Sequence, residues 1–392
     1  MSARRGAPVL VVGAGPVGLL LATRLLALGI PTRLVEQRAA PGAGSRAIGV
    51  HAPGLAALAS VGAEAAVRSA GVRILEGRAL GARGALGTLV FDHGTPVLAV
   101  PQASTEAALA AALAEHGGVV ERGVALTSLT PVGDDVVEVG LLGATGAMTA
   151  RAALVVGCDG RDSLVRQLAS IPTCGGAYRD RYLMADLADV TDLGPRAEIR
   201  LHPDGLMESF PLPGGWRRVV VRVDDACARR WPPPDRSVAA LAAGVCELAL
   251  QRSGVRFDAA GARMASAFGV ERALARCFAS GRVVLAGDAA HVISPIGGQG
   301  MNLGWLDAVA LAEAVARAES GSGPGLAAEL AAYARRRRRA ARIALRRAEW
   351  NMRLGRPHGR WRARLRDELL ERALQPPWSR RLQGAFTMRG LA

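Results

Sequence analysis

The sequence predicts an α/β fold in which a parallel sheet is joined by a smaller antiparallel sheet and a C-terminal run of helices. Three observations predict it. Short apolar runs at residues 8–12, 154–156 and 283–286 each pass directly into a turn bearing glycine or aspartate, as buried parallel strands do. Residues 173–223 instead interleave strand-like runs with Pro/Gly turns such as Pro211-Leu-Pro-Gly-Gly215, the mark of antiparallel sheet. From Leu326 onward the pattern is helical and crowded with arginine.

Taken in order, the run at 8–12 opens a βαβ unit. A helix is expected over 16–28, ended by Gly29, and a second strand over 32–36. The start imitates a signal peptide, with Arg4 and Arg5 ahead of an apolar run over 7–22. Cleavage after that run would remove Gly13, Gly15 and Gly18, so retention is expected. The strands at 154–156 and 283–286 lie far apart in sequence but end in like turns, which suggests one sheet assembled from separated segments. A strand over 219–221, a helix over 237–253 and a helical break near Gly355-Arg-Pro357 complete the reading.

A chain of 392 residues can bury more than one core, and its 50% apolar content excludes global disorder. The sequence has no lysine; all 49 basic residues are arginine. Schiff-base chemistry, pyridoxal-phosphate anchoring and the P-loop lysine are thereby excluded. The five cysteines, Cys158, Cys174, Cys227, Cys246 and Cys277, form no C-x-x-C pair, so zinc spacing and a redox dithiol are absent and a reducing cytoplasm is expected. No apolar stretch reaches transmembrane length. The net charge of +15 is concentrated: residues 335–366 hold 14 arginines and one acid, Glu349, while the rest of the chain nets +2. A solvated helical face is one reading. The other is an anionic partner for the mutually repelling Arg335–Arg339: an acidic carrier protein, an anionic membrane surface or a second subunit. Nucleic acid is disfavoured, because no stacking aromatics are interleaved with the arginines.

Three motifs carry chemistry. Gly13-Ala-Gly15-Pro16-Val-Gly18, with Glu36 at the end of the next strand, fits a dinucleotide site: Gly13 for the tight turn, Gly15 for approach of a pyrophosphate, Gly18 for close helix packing, and Glu36 for ribose hydroxyls. The motif does not choose between NAD and FAD. Gly287-Asp288-Ala-Ala-His291, running on to Pro295-Ile-Gly-Gly298-Gln-Gly300-Met301-Asn302, places an aspartate for a polyol and then opens a helix whose N–H groups suit an anionic ring. A glycine-rich helix start with no ligand reads the same way by itself. Cys158-Asp159-Gly160-Arg-Asp-Ser163 is, on its residues alone, also consistent with a plain strand–turn–helix capped by Asp159.

Together these stretches resemble the para-hydroxybenzoate hydroxylase-like family of FAD-dependent aromatic hydroxylases, which includes polyketide and ubiquinone-pathway hydroxylases. The resemblance covers roughly residues 8–60, 100–170 and 280–315. It implies a Rossmann-type FAD-binding domain (1–72, 100–170 and 270–320), a substrate domain (73–99 and 171–269) and the arginine-rich C-terminal segment (321–392). It assigns FAD binding to Gly13, Gly15, Pro16, Gly18, Glu36, Asp159, Asp288, Pro295, Gly298, Gly300, Met301 and Asn302, adding Arg46 beside the flavin and Gln102 as a contact. It implies non-covalent FAD, reduced by NADPH or NADH as a transient donor, and O2 captured as a flavin C4a-hydroperoxide that hydroxylates a small aromatic substrate. An oxidase or double-bond reductase of the same fold is the alternative. Where many members carry Arg-Thr-Leu-Glu this chain reads Pro53-Gly-Leu-Ala56, and no thioredoxin-like C-terminal domain is expected. Halogenation is disfavoured, since the active-site lysine and Trp-x-Trp-x-Ile-Pro segment are missing. For a substrate base the candidates are His93, His202 and His291, with His202 the best placed. The Arg335–Arg339 run is expected to be replaceable by glutamine without loss of flavin.

Overall fold

The computed structural model describes residues 6–42, 48–91, 96–223, 236–321, 323–357 and 359–391. Val9–Val12, Leu154–Gly157 and Val283–Leu285 are buried at every position, so each needs cover on both faces. They are neighbours in a six-stranded sheet ordered Ala279–Ser280, Val283–Leu285, Leu154–Gly157, Val9–Val12, Thr32–Glu36, Val120–Arg122. All its pairs are parallel except the Ala279–Ser280 edge. The pairings of Val12 with Gly157 and of Gly157 with Leu285 bring the strand ends level, so the three motif turns open on one edge. Helix Pro16–Ala27 covers the sheet with Leu19, Leu20, Leu21 and Leu25, and packs against helix Gly300–Glu319.

The second large sheet has eight strands, ordered His291–Val292, Met264–Ala275, Thr173–Ala188, Trp216–Val223, Gly205–Leu212, Arg196–His202, Glu76–Gly81, Gly84–Val90. Its one parallel pair is Arg196–His202 with Glu76–Gly81. Alternation along the strands sorts the side chains. Leu183, Met207, Val219 and Val221 pack under helix Val238–Ser253, whose first turn is capped by Ser237. Met184, Leu206, Val220 and Phe268 face the other way, toward Ile296 and Met352. The mixed α/β class and the C-terminal helices are as the sequence predicts. Two three-stranded sheets add to it: Gly49–His51, Val97–Ala99 and Val72–Ile74 in one, Ala125–Val132, Val136–Gly143 and Gly146–Ala152 in the other.

Helix Leu326–Leu354 ends at Gly355 and is followed by Arg360–Ala373 and Trp378–Phe386. Its arginines are not one solvated face. Arg337 is buried and ion-paired to Asp307 at 2.7 Å, and Arg338 donates to the Ala275 carbonyl at 3.0 Å. Arg335, Arg336 and Arg339 are exposed. Among the described residues, no helix is long and apolar enough to cross a membrane.

Candidate active site

Gly13 takes φ +100°, and a Cβ there would lie 2.5 Å from the Cys158 carbonyl oxygen, so only glycine fits between the two strands. A Cβ on Gly18 would strike the Gly13 carbonyl, whereas the space beside Gly15 is open. Helix Pro16–Ala27 has no side-chain cap, which leaves its first N–H groups for a ligand. At the end of the next strand, Glu36 accepts from Ala14 N–H at 2.9 Å and from both the N–H and Nε of Arg38 at 3.0 Å. Burial opposes its ionisation, but these hydrogen bonds and the Arg38 charge outweigh it and hold the carboxyl below its usual range. The dinucleotide turn therefore carries a fixed anion.

At the neighbouring strand end, Asp159 accepts from Val165 N–H at 3.0 Å through one oxygen. Its other oxygen is buried with no partner among the described residues. The N-cap of the short helix that follows is Ser163, which accepts from Arg166 N–H, and Asp159 shares that task by meeting Val165 N–H in the same first turn. Asp288 follows Gly287, itself at φ +63°. The Asp288 side chain opens onto the cavity yet is ringed by protein, and this burial raises its pKa against the charges of His291 and Arg161. The turn is bolted from behind. Gly287 N–H donates to Asp307 at 3.1 Å, and the same carboxylate lies 2.6 Å from His291 Nε2 and 2.7 Å from Arg337 Nε. Burial works against this carboxylate, but His291 and Arg337 together hold it below its usual range.

Helix Gly300–Glu319 also starts without a side-chain cap. Asn302 accepts from His51 N–H at 2.9 Å and donates to the carbonyls of Gly49 and Gly298, tying the helix start to strand Gly49–His51. Gly54 stands in the Pro53–Ala56 stretch that departs from the family pattern. A Cβ there would collide with Asn302 and lie 3.1 Å from Trp305, so this glycine permits the close approach of helix Ala52–Ala59.

One cavity of about 810 Å³ joins these features. It is lined by Gly13, Gly15, Pro16, Glu36, Gln102, Asp159, Asp288, Pro295, Gly298, Gly300 and Met301, all expected from the sequence. Gln102, which donates to Glu106 at 2.8 Å, also borders a smaller adjoining pocket. Gly18 and Asn302 stand behind the wall, and Arg46 lies outside the described residues. The cavity runs on to the eight-stranded sheet, where Ile199, Phe210, Val220 and Phe268 make an apolar chamber with Leu374 and Phe386 from the C-terminal helices. An uncapped dinucleotide turn, an unpartnered Asp159 oxygen and an open Asp288 fit FAD, with its pyrophosphate, ribitol and ring in sequence.

Of the expected substrate bases, neither His202 nor His291 is in this wall. His202 sits 3.4 Å from Asp204, with its pKa lowered by burial, and does not line the cavity. His291 is committed to Asp307, and His93 lies outside the described residues. Two residues that sequence reasoning passed over, both held neutral by burial, do line it. His51 is buried beside Phe386, their rings edge to face at 5.6 Å; burial pushes its pKa to about 4, with the Gly297 backbone opposing. Glu208 is 4% exposed, stands between Ile199 and Val220 in the sheet register, and is pushed by burial to about 8. A signal existed for it: Glu208 shares a strand face with Leu206, Phe210 and Leu212, where an acid breaks the apolar pattern.

The sequence profile of the FAD binding domain family matches residues 6–348. The 12-dehydrotetracycline 5-monooxygenase/anhydrotetracycline 6-monooxygenase of Streptomyces rimosus subsp. rimosus is 33% identical over 336 residues, which are 81% of this chain and 64% of that protein. The chain thus spans less than two thirds of that relative's length. Among solved structures, the anhydrotetracycline hydroxylase OxyS from Streptomyces rimosus superposes with TM-score 0.79 at 30% identity, over 97% of this chain and 75% of its own. The p-nitrophenol 4-monooxygenase PnpA from Pseudomonas putida DLL-E4 gives TM-score 0.86 over 98% of both chains, and at 23% identity it speaks for the fold. The chain belongs to the FAD binding domain family, in agreement with the resemblance to FAD-dependent aromatic hydroxylases that its three motifs carry.

Proposed function

We propose that this protein is an FAD-dependent monooxygenase that uses NADPH or NADH and O2 to hydroxylate an aromatic substrate of phenol, quinol or polyketide type. The observation that carries the reading is the single cavity that begins at dinucleotide-binding turns and ends in an apolar chamber on a separate sheet. Gly13, Gly15 and the first N–H groups of helix Pro16–Ala27 receive the pyrophosphate, with Gly18 letting that helix close on the turn. Glu36 takes the ribose, Asp159 and Asp288 the ribitol. The start of helix Gly300–Glu319 faces the negative edge of the ring, with Pro295, Gly298, Met301 and Asn302 shaping it and Arg46 and Gln102 beside it. The FAD is held non-covalently. Cys158, which lines the wall, is buried with its thiol pKa raised, so it offers no thiolate. When bound, FAD would supply the redox chemistry between a nicotinamide donor and O2. The chain's residues orient the ring and keep water from the chamber. That relatives act on tetracycline intermediates supports a polycyclic aromatic substrate. Residues 73–99 and 171–269 form the substrate side in this reading. Exposed Arg335, Arg336 and Arg339 offer an anionic carrier or surface a place to dock.

The purified protein should be yellow, and its NAD(P)H oxidation should rise with a polycyclic phenol and place one atom from labelled O2 in the product. Asp288→Ala should keep the circular dichroism of the wild type and lose most of the flavin, because a polyol hydrogen bond goes without emptying the core. Turnover with no oxygen incorporated would turn the reading to an oxidase or reductase. A colourless protein that FAD does not restore would remove the cofactor itself.

A further inference from the structure

Apart from Asp288, whose surface opens onto the cavity, six acids are buried among the described residues: Glu36, Asp180, Glu208, Asp307, Glu329 and Asp367. Five are answered by arginine within 3.0 Å: Arg38, Arg356, Arg337, Arg317 and Arg366 respectively for Glu36, Asp180, Asp307, Glu329 and Asp367. Glu208 has no ion pair among the described residues, in a chain with 49 arginines. Removing a carboxyl from water with nothing to meet it costs stability, and such groups persist where a ligand supplies the partner. Glu208 also points into the cavity, at the chamber end.

The surroundings leave that end to a neutral ligand. Ile199 and Val220 flank Glu208 in the sheet, and Phe210 shares its strand. Arg218 and Arg222 on the adjacent strand are engaged with Asp186 and Asp180. Tyr182, on the next strand, is held protonated by burial and by the nearby Asp180 and Glu208. Ile296, Leu374 and Phe386, which also form the chamber, bear no charge, and His51 beside Phe386 is held neutral by burial.

We propose that Glu208 is the catalytic residue that receives the substrate, its carboxylate accepting first the hydrogen bond and then the proton of the ring hydroxyl. The ring O–H bond breaks, an O–H bond forms on Glu208, and the electron pair stays on the ring oxygen. The ring carbons ortho and para to that oxygen become richer in electrons, which is what an incoming electrophilic oxygen needs. The assignment rests on the proposed hydroxylation for its chemical purpose, but the hydrogen bond can be measured without turnover.

The test uses the FAD-loaded enzyme with no nicotinamide present, titrated with 2-naphthol and with its methyl ether, 2-methoxynaphthalene. Binding is read from the perturbed flavin absorption between pH 6 and 8.5. The wild type should prefer the phenol by roughly tenfold or more at pH 8.5, as a hydrogen bond to a charged acceptor implies. The preference should decline toward parity as the pH falls below about 8, where Glu208 takes up its proton. Glu208→Leu should abolish the preference at every pH with flavin content unchanged, and Glu208→Gln should leave a small preference that no longer varies with pH. Parity in the wild type at pH 8.5, failure of both compounds to bind, or an unaltered preference in Glu208→Leu would each overturn the assignment. A normal preference in an enzyme that incorporates no oxygen would instead count against the hydroxylase reading and leave Glu208 in place.

Discussion

Burial acts in opposite senses on His51 and Glu208, favouring the neutral form of each. For His51 the folded value is about 4 against an ordinary 6.5. Between those values the folded protein binds fewer protons than the unfolded chain, so stability is lost as the pH falls from about 6.5 toward 4. Going from pH 7 to pH 5 should therefore cost about 2 kcal/mol through this residue. Denaturant unfolding of wild type and His51→Gln at the two pH values checks it: the variant should lose about 2 kcal/mol less. Equal losses would mean that water or a backbone group meets the imidazolium. At this scale the glycines and turn acids were legible, because Gly13, Asp159 and Asp288 each follow a buried strand and the turn dictates their type. His51 was not singled out, because its surroundings come from Gly297 and Phe386, both remote in sequence, whereas for Glu208 the acid on an apolar strand face was there to be read.

Helix Leu326–Leu354 shows why a charge run cannot be read as one surface. Its arginines at 335–339 point around the helix, and the third falls on the buried side. There Arg337 meets Asp307 and donates to the Leu391 carbonyl at 2.7 Å, while Asp307 holds Gly287 N–H in the turn that carries Asp288. The exposed members should be dispensable: Arg335, Arg336 and Arg339 changed together to Gln should shift stability by no more than about 0.5 kcal/mol per site and leave flavin content intact. Arg337→Gln leaves Asp307 buried and half-answered, which should cost about 3–5 kcal/mol and loosen the flavin. Denaturation midpoints and flavin retained on gel filtration compare the two variants, and a similar outcome for both would show that Arg337 has no special part. The expectation that the whole run is replaceable without loss of flavin is predicted to fail at Arg337, which is buried and paired to Asp307. Elements with a strong period were legible in outline, such as strand Thr32–Glu36 and the helix after Ser237. The hairpins of Ala125–Val132, Val136–Gly143 and Gly146–Ala152 were not, because two of the three strands are largely exposed and show no alternation.

The cavity is a property of the whole molecule, since its walls come from both large sheets and from the C-terminal helices. Phe386 is where these parts meet. Its ring stacks on Phe91 at 5.6 Å, lies edge-on to His51 at 5.6 Å, and lines the cavity. Gln299, just before helix Gly300–Glu319, donates to the Ala385 carbonyl at 3.3 Å, which fixes the same segment. Nothing in the sequence around residue 386 marks it, because its partners lie some 300 residues away. Phe386→Ala should destabilise the fold by about 2 kcal/mol, as expected for a half-buried aromatic with two ring contacts. The larger effect should be on containment. With that wall opened, water reaches the chamber, and a greater share of the NAD(P)H oxidised should appear as hydrogen peroxide in place of hydroxylated product. Phe386→Leu, which restores apolar volume without the ring, should return most of the coupling. The check is the ratio of peroxide to NAD(P)H consumed for the three proteins at equal flavin content. An unchanged ratio in Phe386→Ala would show that the C-terminal segment braces the structure without sealing the site.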